Sequence, residues 1–221
     1  MAAVAELNNV SKTFGTFAAI RNLTLALEHG TINLVLGENG AGKSTFLRLL
    51  AGLAAPTFGS LSVFGAPPAN ARGRIAYMSH APMLYDELSA TENLNYFSAL
   101  HRDGGCNCVG SPEMALRAVG LDPAMARPVS EYSQGMRQRV SLARVLQTDP
   151  ELLLLDEPFS NLDVAGAQHI VELLADFRTW PIHSSSSGRT IVLTTHQAHL
   201  ASPIADRTLT IERGALVGDK S

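Results

Sequence analysis

The chain has 221 residues, of which 46% are apolar and only 17% charged, and its formal net charge is −3. That length suits one large domain, or one domain carrying an insertion, with enough apolar residues to fill a sizeable core. The slight acidity argues against a nucleic-acid partner, which needs a basic face. No apolar run reaches the roughly 18 residues of a membrane-spanning helix. The amino terminus "MAAVAELNNVSKTF" lacks the basic-then-apolar order of a secretory signal. A cytosolic chain is expected, one that would work at a membrane by docking on another protein.

Strand and helix patterns alternate at both ends. Residues 4–8 and 18–27 read as strands, the second alternating as "AAIRNLTLAL", and together they predict an amino-terminal antiparallel β region. Thr31–Leu36 is a short apolar run of the kind found in buried strands, and a helix is expected over 44–53. "SLSVFG" and "RIAYMS" are further strands, separated by the turn-rich "APPANARG". From Asp86 to Leu146 the pattern is helical. "ATENLNYFSALH" offers Leu94, Phe97 and Leu100 at helical spacing, and "SPEMALRAVGL" opens with a serine cap and a proline at the first helical position.

Cys106 and Cys108 lack a second Cys or His pair at zinc spacing and read as reduced thiols in a surface loop. Residues 151–155 form a second buried strand ending on Asp156, and a helix covers 164–178. "WPIHSSSSGR" is a connector to the strand "TIVLTT", and the tail "RTLTIERGALVGD" closes as a hairpin turning at Arg213-Gly214. No internal repeat is visible. The expected organisation is a single α/β domain over 1–221, with a core of 1–85 and 147–221 interrupted by a helical subdomain at about 86–146.

The stretch "LVLGENGAGKST", Leu34–Thr45, carries the strongest signal. Gly37, Gly40, Gly42, Lys43 and Ser44 fit G-x-x-x-x-G-K-[ST], a loop that wraps a phosphate chain. Its glycines let successive N–H groups, including those of Glu38, Asn39, Ala41 and Thr45, converge on anionic oxygens. The following helix adds its positive dipole end. Lys43 would reach the outer phosphates, and Ser44 would offer its hydroxyl to Mg²⁺. Nucleoside triphosphate binding follows from this loop, whereas the function does not, since switches, kinases, motors and transport ATPases all carry one. "LLLLDEP" at 152–158 supplies a second half: an apolar strand whose terminal Asp156 would help hold the Mg²⁺. Glu157, one residue on, is placed to polarise a water.

Upstream lies "YSQGMRQRVSLARVLQTDP", and downstream "SNLD" (160–163) and "TTH" (194–196). With these the chain resembles the ATP-binding-cassette ATPases from Val4 to about Val217: phosphate loop, Ser-x-Gly signature opening a helix, Asp-Glu, S-x-L-D turn and one late histidine. The resemblance implies a phosphate-loop NTPase fold that hydrolyses ATP with Mg²⁺. It assigns Phe14 to stacking on adenine, and Ser133 and Gly135 to the γ-phosphate of a partner subunit's ATP. Asp163 falls in the turn that communicates across the dimer, and His196 is the switch histidine at the γ-phosphate. It also implies a homodimer bound to an integral-membrane permease, peripheral to the cytoplasmic face of the cell membrane, with no nucleic acid. A soluble family member acting in DNA repair or translation would usually carry coiled-coil insertions, zinc cysteines or two cassettes, and none is visible.

Two departures from the family pattern stand out. The signature is "YSQGM", with Gln134 and Met136 replacing a glycine and a glutamine. In "RIAYMSHAPMLYDELSATENL" His80 stands where the family typically has a glutamine. Histidine still donates or accepts through a ring nitrogen, but it is shorter and titrates. Together with "DEL" followed by "ENL" and a compact single domain, His80 and the Ser-x-Gly-Met signature look like the haem-exporter ATPases of cytochrome c maturation. Several other bacterial exporters share the Ser-x-Gly-Met signature, so another small-molecule or multidrug exporter is the alternative.

Overall fold

The computed structural model describes residues 3–103, 110–179 and 188–220. In chain order it places β1 (Ala3–Phe14), β2 (Phe17–Glu28), β3 (Ile32–Leu36), α1 (Lys43–Leu50), β4 (Phe58–Val63) and β5 (Ile75–Met78). There follow α2 (Ala90–Asp103), α3 (Pro112–Ala118), α4 (Gln134–Leu146), β6 (Leu152–Asp156) and α5 (Val164–Thr179). The chain continues through β7 (Thr190–Thr194), α6 (Ala198–Ala201), β8 (Arg207–Glu212) and β9 (Ala215–Lys220). The cysteine loop and the Trp180-to-serine connector lie outside the described residues, apart from the connector's last two positions, Gly188 and Arg189.

Among the described residues the strands form two sheets. One is antiparallel, in the order β2-β1-β4; the other runs β5-β6-β7-β3-β8-β9 and is parallel except for β9. The central strands β6 and β7 are buried at every residue, as unbroken apolar runs covered on both faces must be. One face of the large sheet, with Leu153, Leu155, Ile191 and Leu193, packs on α4, α5 and the α2–α3 pair. The other face, with Leu152, Leu154, Val192 and Leu209, packs on Phe46, Leu47 and Leu50 of α1. The antiparallel sheet covers α1 from the far side through Val4, Leu7, Val10 and Ile20.

Several elements differ from the sequence expectation for local reasons. β1 runs on past residue 8 because Asn9 adopts a left-handed φ of 50° and the pairing shifts register between Leu7 and Val10. This is a bulge that asparagine tolerates. The helix behind the loop stops at Leu50, three residues early. Gly52 sits at φ 67° and Leu53 N–H bonds back to the Arg48 carbonyl at 2.9 Å, a Schellman ending. Leu100 points outward at 50% exposure, and α2 buries Asn93, Leu94 and Ser98 instead. Ser111 makes no capping bond to the backbone of α3, and its hydroxyl donates to the Glu113 carboxylate. The short α6 had no legible periodicity.

The hairpin β8–β9 turns at Arg213-Gly214, with φ 47° and 83°, the conformation two-residue hairpins favour. Gly214 then serves as a brace: its N–H donates to the Ala41 carbonyl and its carbonyl accepts from Arg21 N–H, each at 2.8 Å. The loop after β3 is thereby tied to both β2 and the last hairpin. Phe46, fully buried under that loop, anchors α1 to the sheet. Phe46→Ala is expected to lower unfolding free energy by about 3–5 kcal/mol in a denaturant titration.

Candidate functional site

Parallel register brings the chemistry together. Val35 of β3 pairs with Thr194 of β7, Thr194 with Asp156 of β6, and Leu155 of β6 with Met78 of β5. Four strands therefore end at one edge of the sheet, where α/β folds place their ligands. The segments that leave them carry Gly37–Gly42, Ser79–His80, Glu157 and Thr195–His196. Between them lies a cleft of about 710 Å³, within the roughly 300–1,000 Å³ of small-ligand sites.

Glu38, Asn39, Gly40, Gly42, Lys43, Ser44 and Thr45 line this cleft. Gly37 and Ala41 face the other side of the loop, beside Glu212 and Arg213. Gly42 is the residue before α1 and has φ 111°, and a Cβ there would sit 2.4 Å from the Ala19 carbonyl. Only glycine fits, and its place lets the α1 amino terminus open into the cleft. Lys43 is 7% exposed, and its ammonium donates to the carbonyls of Gly37 at 2.7 Å and Glu38 at 3.1 Å. Among the described residues no carboxylate pairs with it. Of its three N–H donors one remains for a ligand.

On the opposite wall Asp156, 3% exposed, accepts a 2.8 Å hydrogen bond from the Thr194 hydroxyl. Tyr77 lies close by: burial, and after it the Asp156 carboxylate, push its phenol above the usual range, with Arg48 opposing. Glu157 follows with a left-handed φ of 57°, a conformation that recurs in non-glycine residues at functional sites. Its N–H donates to the Thr194 carbonyl at 3.1 Å and its Oε2 accepts from His196 N–H at 3.1 Å. Among the described residues the buried Oε1 has no hydrogen-bond partner, and His196 Nε2 stands 3.3 Å from it. A buried carboxylate oxygen left open is a polar atom waiting for a donor. Exposed His80 and His196 complete the rim.

This donor set fits a magnesium nucleotide. A lysine and backbone amides face a carboxylate and a hydroxyl across a narrow cleft, and an unbonded glutamate oxygen stands beside them. Not every expected residue is here. Phe14 is off the cleft wall; its cross-strand partner Phe17 is on it. Ser133, Gly135 and Asp163 also lie outside. Ser133 is exposed and caps α4 by accepting from Met136 N–H at 3.2 Å, and Asp163 accepts from Gly166 N–H at 2.9 Å at the start of α5. Phe17, Ala19 and Gln197 line the cleft without any motif to announce them, and Ser160 and Asn161 of "SNLD" line it as well. Thr194, part of the quoted "TTH", acts through its hydroxyl on Asp156.

Fold and cleft define a phosphate-loop nucleotide-binding protein. The family described as ABC transporter matches residues 20–160, and the chain belongs to it. A narrower match, described as AAA domain, putative AbiEii toxin, Type IV TA system, covers residues 123–202. The chain is 36% identical over 203 residues to a fluoroquinolones export ATP-binding protein of Mycobacterium tuberculosis, covering 90% of this chain and 64% of that one. It is 32% identical over 204 residues to the ABC transporter ATP-binding protein NatA of Bacillus subtilis, covering 90% and 80%. With an Fe(3+) ions import ATP-binding protein of Rhizobium etli the identity is 35%, covering 94% and 58%. The chain thus spans 58–64% of the length of the first curated relatives. In fold it matches the dimeric ATP-binding cassette MJ0796 bound to ADP and Pi, with TM-score 0.85, 24% identity and 98% of each chain covered.

Among the described residues Lys43 is the one ammonium lining this cleft. Lys43→Ala is expected to weaken Mg–ATP binding by about one to two decades, since a hydrogen bond to a charged group contributes roughly 1.5–3 kcal/mol. Titration with ATP in the presence of Mg²⁺ checks this, and an unchanged affinity would remove the phosphate-loop reading.

Proposed function

We propose that the chain is the ATP-binding and hydrolysing subunit of a membrane transporter. The observation that carries this reading is Glu157, held one residue beyond buried Asp156 with Oε1 free of hydrogen bonds among the described residues. The triphosphate of ATP would lie on the loop from Gly37 to Thr45, with the spare Lys43 donor on its outer phosphates. The base would stack at the hairpin tip, where the family resemblance names Phe14 and where Phe17 stands on the cleft side. Mg²⁺ held by Ser44 and Asp156 would neutralise charge on the transferred phosphate. Glu157 Oε1 accepts a hydrogen bond from the attacking water and so orients it. His196 fixes the other carboxylate oxygen through its N–H and turns its ring to the same region.

Ser133 and Gly135 would act on a second copy. The Ser133 hydroxyl accepts the capping bond and keeps its own proton to donate. The α4 amino terminus can therefore meet the γ-phosphate in the partner's cleft, with Asp163 alongside. ATP would join two copies of the chain and hydrolysis would part them. That closing and opening would drive a permease at the cytoplasmic face of the membrane. Its docking place would be near His80 and Tyr85–Leu88, where Met83, Tyr85 and Tyr96 are exposed. No described helix is long and apolar enough to cross a membrane, which fits a peripheral subunit.

In this arrangement the cassette touches nucleotide and permease, and the permease selects the cargo. The haem-exporter resemblance rests on His80, on "DEL" followed by "ENL", on a compact single domain and on the Ser-x-Gly-Met signature. The relatives described above are named for fluoroquinolones and Fe(3+) ions, so the proposal stays with a transporter ATPase of either direction.

Glu157→Gln is expected to bind ATP while its turnover falls at least about 100-fold, leaving an ATP-held dimer visible by size-exclusion chromatography. Turnover at the wild-type rate would contradict the role given to Glu157. His80→Ala should keep the ATP affinity of the isolated subunit, since Lys43 and the loop amides remain. It should lose most of the stimulation by a co-purified permease, and His80→Gln should restore part of it. Full stimulation of the alanine variant would show His80 to be a passive substitution.

A further inference from the structure

The first two turns of α4 lie against the loop that follows β6. A Cβ on Gly135 would come 2.6 Å from the Asn161 carbonyl. One turn further, Gln138 is 1% exposed and donates its side-chain N–H to the Glu157 carbonyl at 2.9 Å. That carbonyl also accepts from Ser160 N–H at 3.2 Å and from the Ser160 hydroxyl at 2.9 Å. The Ser160 bonds are local and travel with the loop. Gln138 is different, because it reaches the loop from a helix packed on the core. On the other side of the same residue, Thr194 holds the Glu157 amide. Glu157 is thus gripped at N–H by β7 and at C=O by α4, in a backbone conformation that a residue with a side chain seldom adopts. A buried amide on the inward face of a helix needs a partner, and this one spends its donor on a single peptide.

We propose that Gln138 is a positioning residue for Glu157. It fixes the peptide whose side chain orients the attacking water, and it joins the Ser133 end of α4 to this subunit's own catalytic loop. The inference rests on the ATPase reading given above. Gln138 is buried and does not line the cleft, so its loss should leave binding alone and slow the chemical step.

The test compares wild type, Gln138→Met, Gln138→Glu and Ser160→Ala as purified full-length chains. ATP affinity, ATP-dependent dimerisation, kcat and KM are measured for each. Gln138→Met keeps the volume and removes the donor, and Gln138→Glu keeps shape and polarity and removes the same donor. Both are expected to bind ATP and dimerise within about twofold of wild type while kcat falls about 10- to 100-fold at similar KM, as misplacement of a reacting group would cause. Ser160→Ala should fall about two- to fivefold, because the anchor from α4 remains. A kcat within twofold of wild type for whichever Gln138 variant folds would overturn the proposal. So would a loss of ATP affinity as large as the loss of kcat, which would mark a general collapse of the cleft. A wild-type chain that binds ATP without turnover would overturn the ATPase reading, and this role with it.

Discussion

The pairing of Asp156 with Thr194 across β6 and β7 is the contact on which the site depends. Parallel register puts the two residues side by side, and the Thr194 hydroxyl then orients the Asp156 carboxylate. The same threonine takes the Glu157 N–H on its carbonyl, and two residues later His196 N–H returns to the Glu157 side chain. Slipping this register by one residue would turn every β6 side chain to the opposite face. It would part Asp156, Glu157 and His196, the proposed metal ligand, water-orienting carboxylate and rim. The all-buried leucines of β6 make such a slip costly, because both faces of the sheet are packed.

The left-handed backbone at Glu157 costs on the order of 1–3 kcal/mol in residues of this kind. It persists because surrounding elements over-determine it: Thr194 on one side, Gln138 and Ser160 on the other. The neighbouring residue on α4, Arg137, pairs with Asp86 at 2.5 Å and donates to the Val129 carbonyl at 3.0 Å. One helix therefore contacts the Glu157 loop with one side chain and the segment around Tyr85–Leu88 with the next. The proposed partner-facing surface and the proposed catalytic carboxylate are linked through adjacent residues of α4, a connection of short rigid steps.

Much of this was legible in the residues. The loop Gly37–Thr45, the strand into Asp156 and the hairpin at Arg213-Gly214 are local patterns with local causes, and they stand where their sequences place them. What stayed hidden depends on tertiary approach. Phe17 reaches the cleft wall only because the β1–β2 hairpin folds over the loop. Gln138 looks like one polar residue in a helix, and only packing shows it aimed at Glu157. Leu100 fits the helical period, yet α2 is rotated so that Asn93 and Ser98 are buried, Asn93 bonding back to the Tyr85 and Ser89 carbonyls. Periodicity records which residues share a face; it does not record which face meets the core.

The central claim is that one chain supplies the cleft and a second chain closes it over the same nucleotide. The most direct measurement is a crystal structure of the Glu157→Gln chain with Mg²⁺ and ATP. The account predicts ATP between two copies, its γ-phosphate within hydrogen-bond distance of Lys43 Nζ of one and Ser133 Oγ of the other. ATP held by a single chain, with Ser133 of every copy remote from any nucleotide, would contradict it.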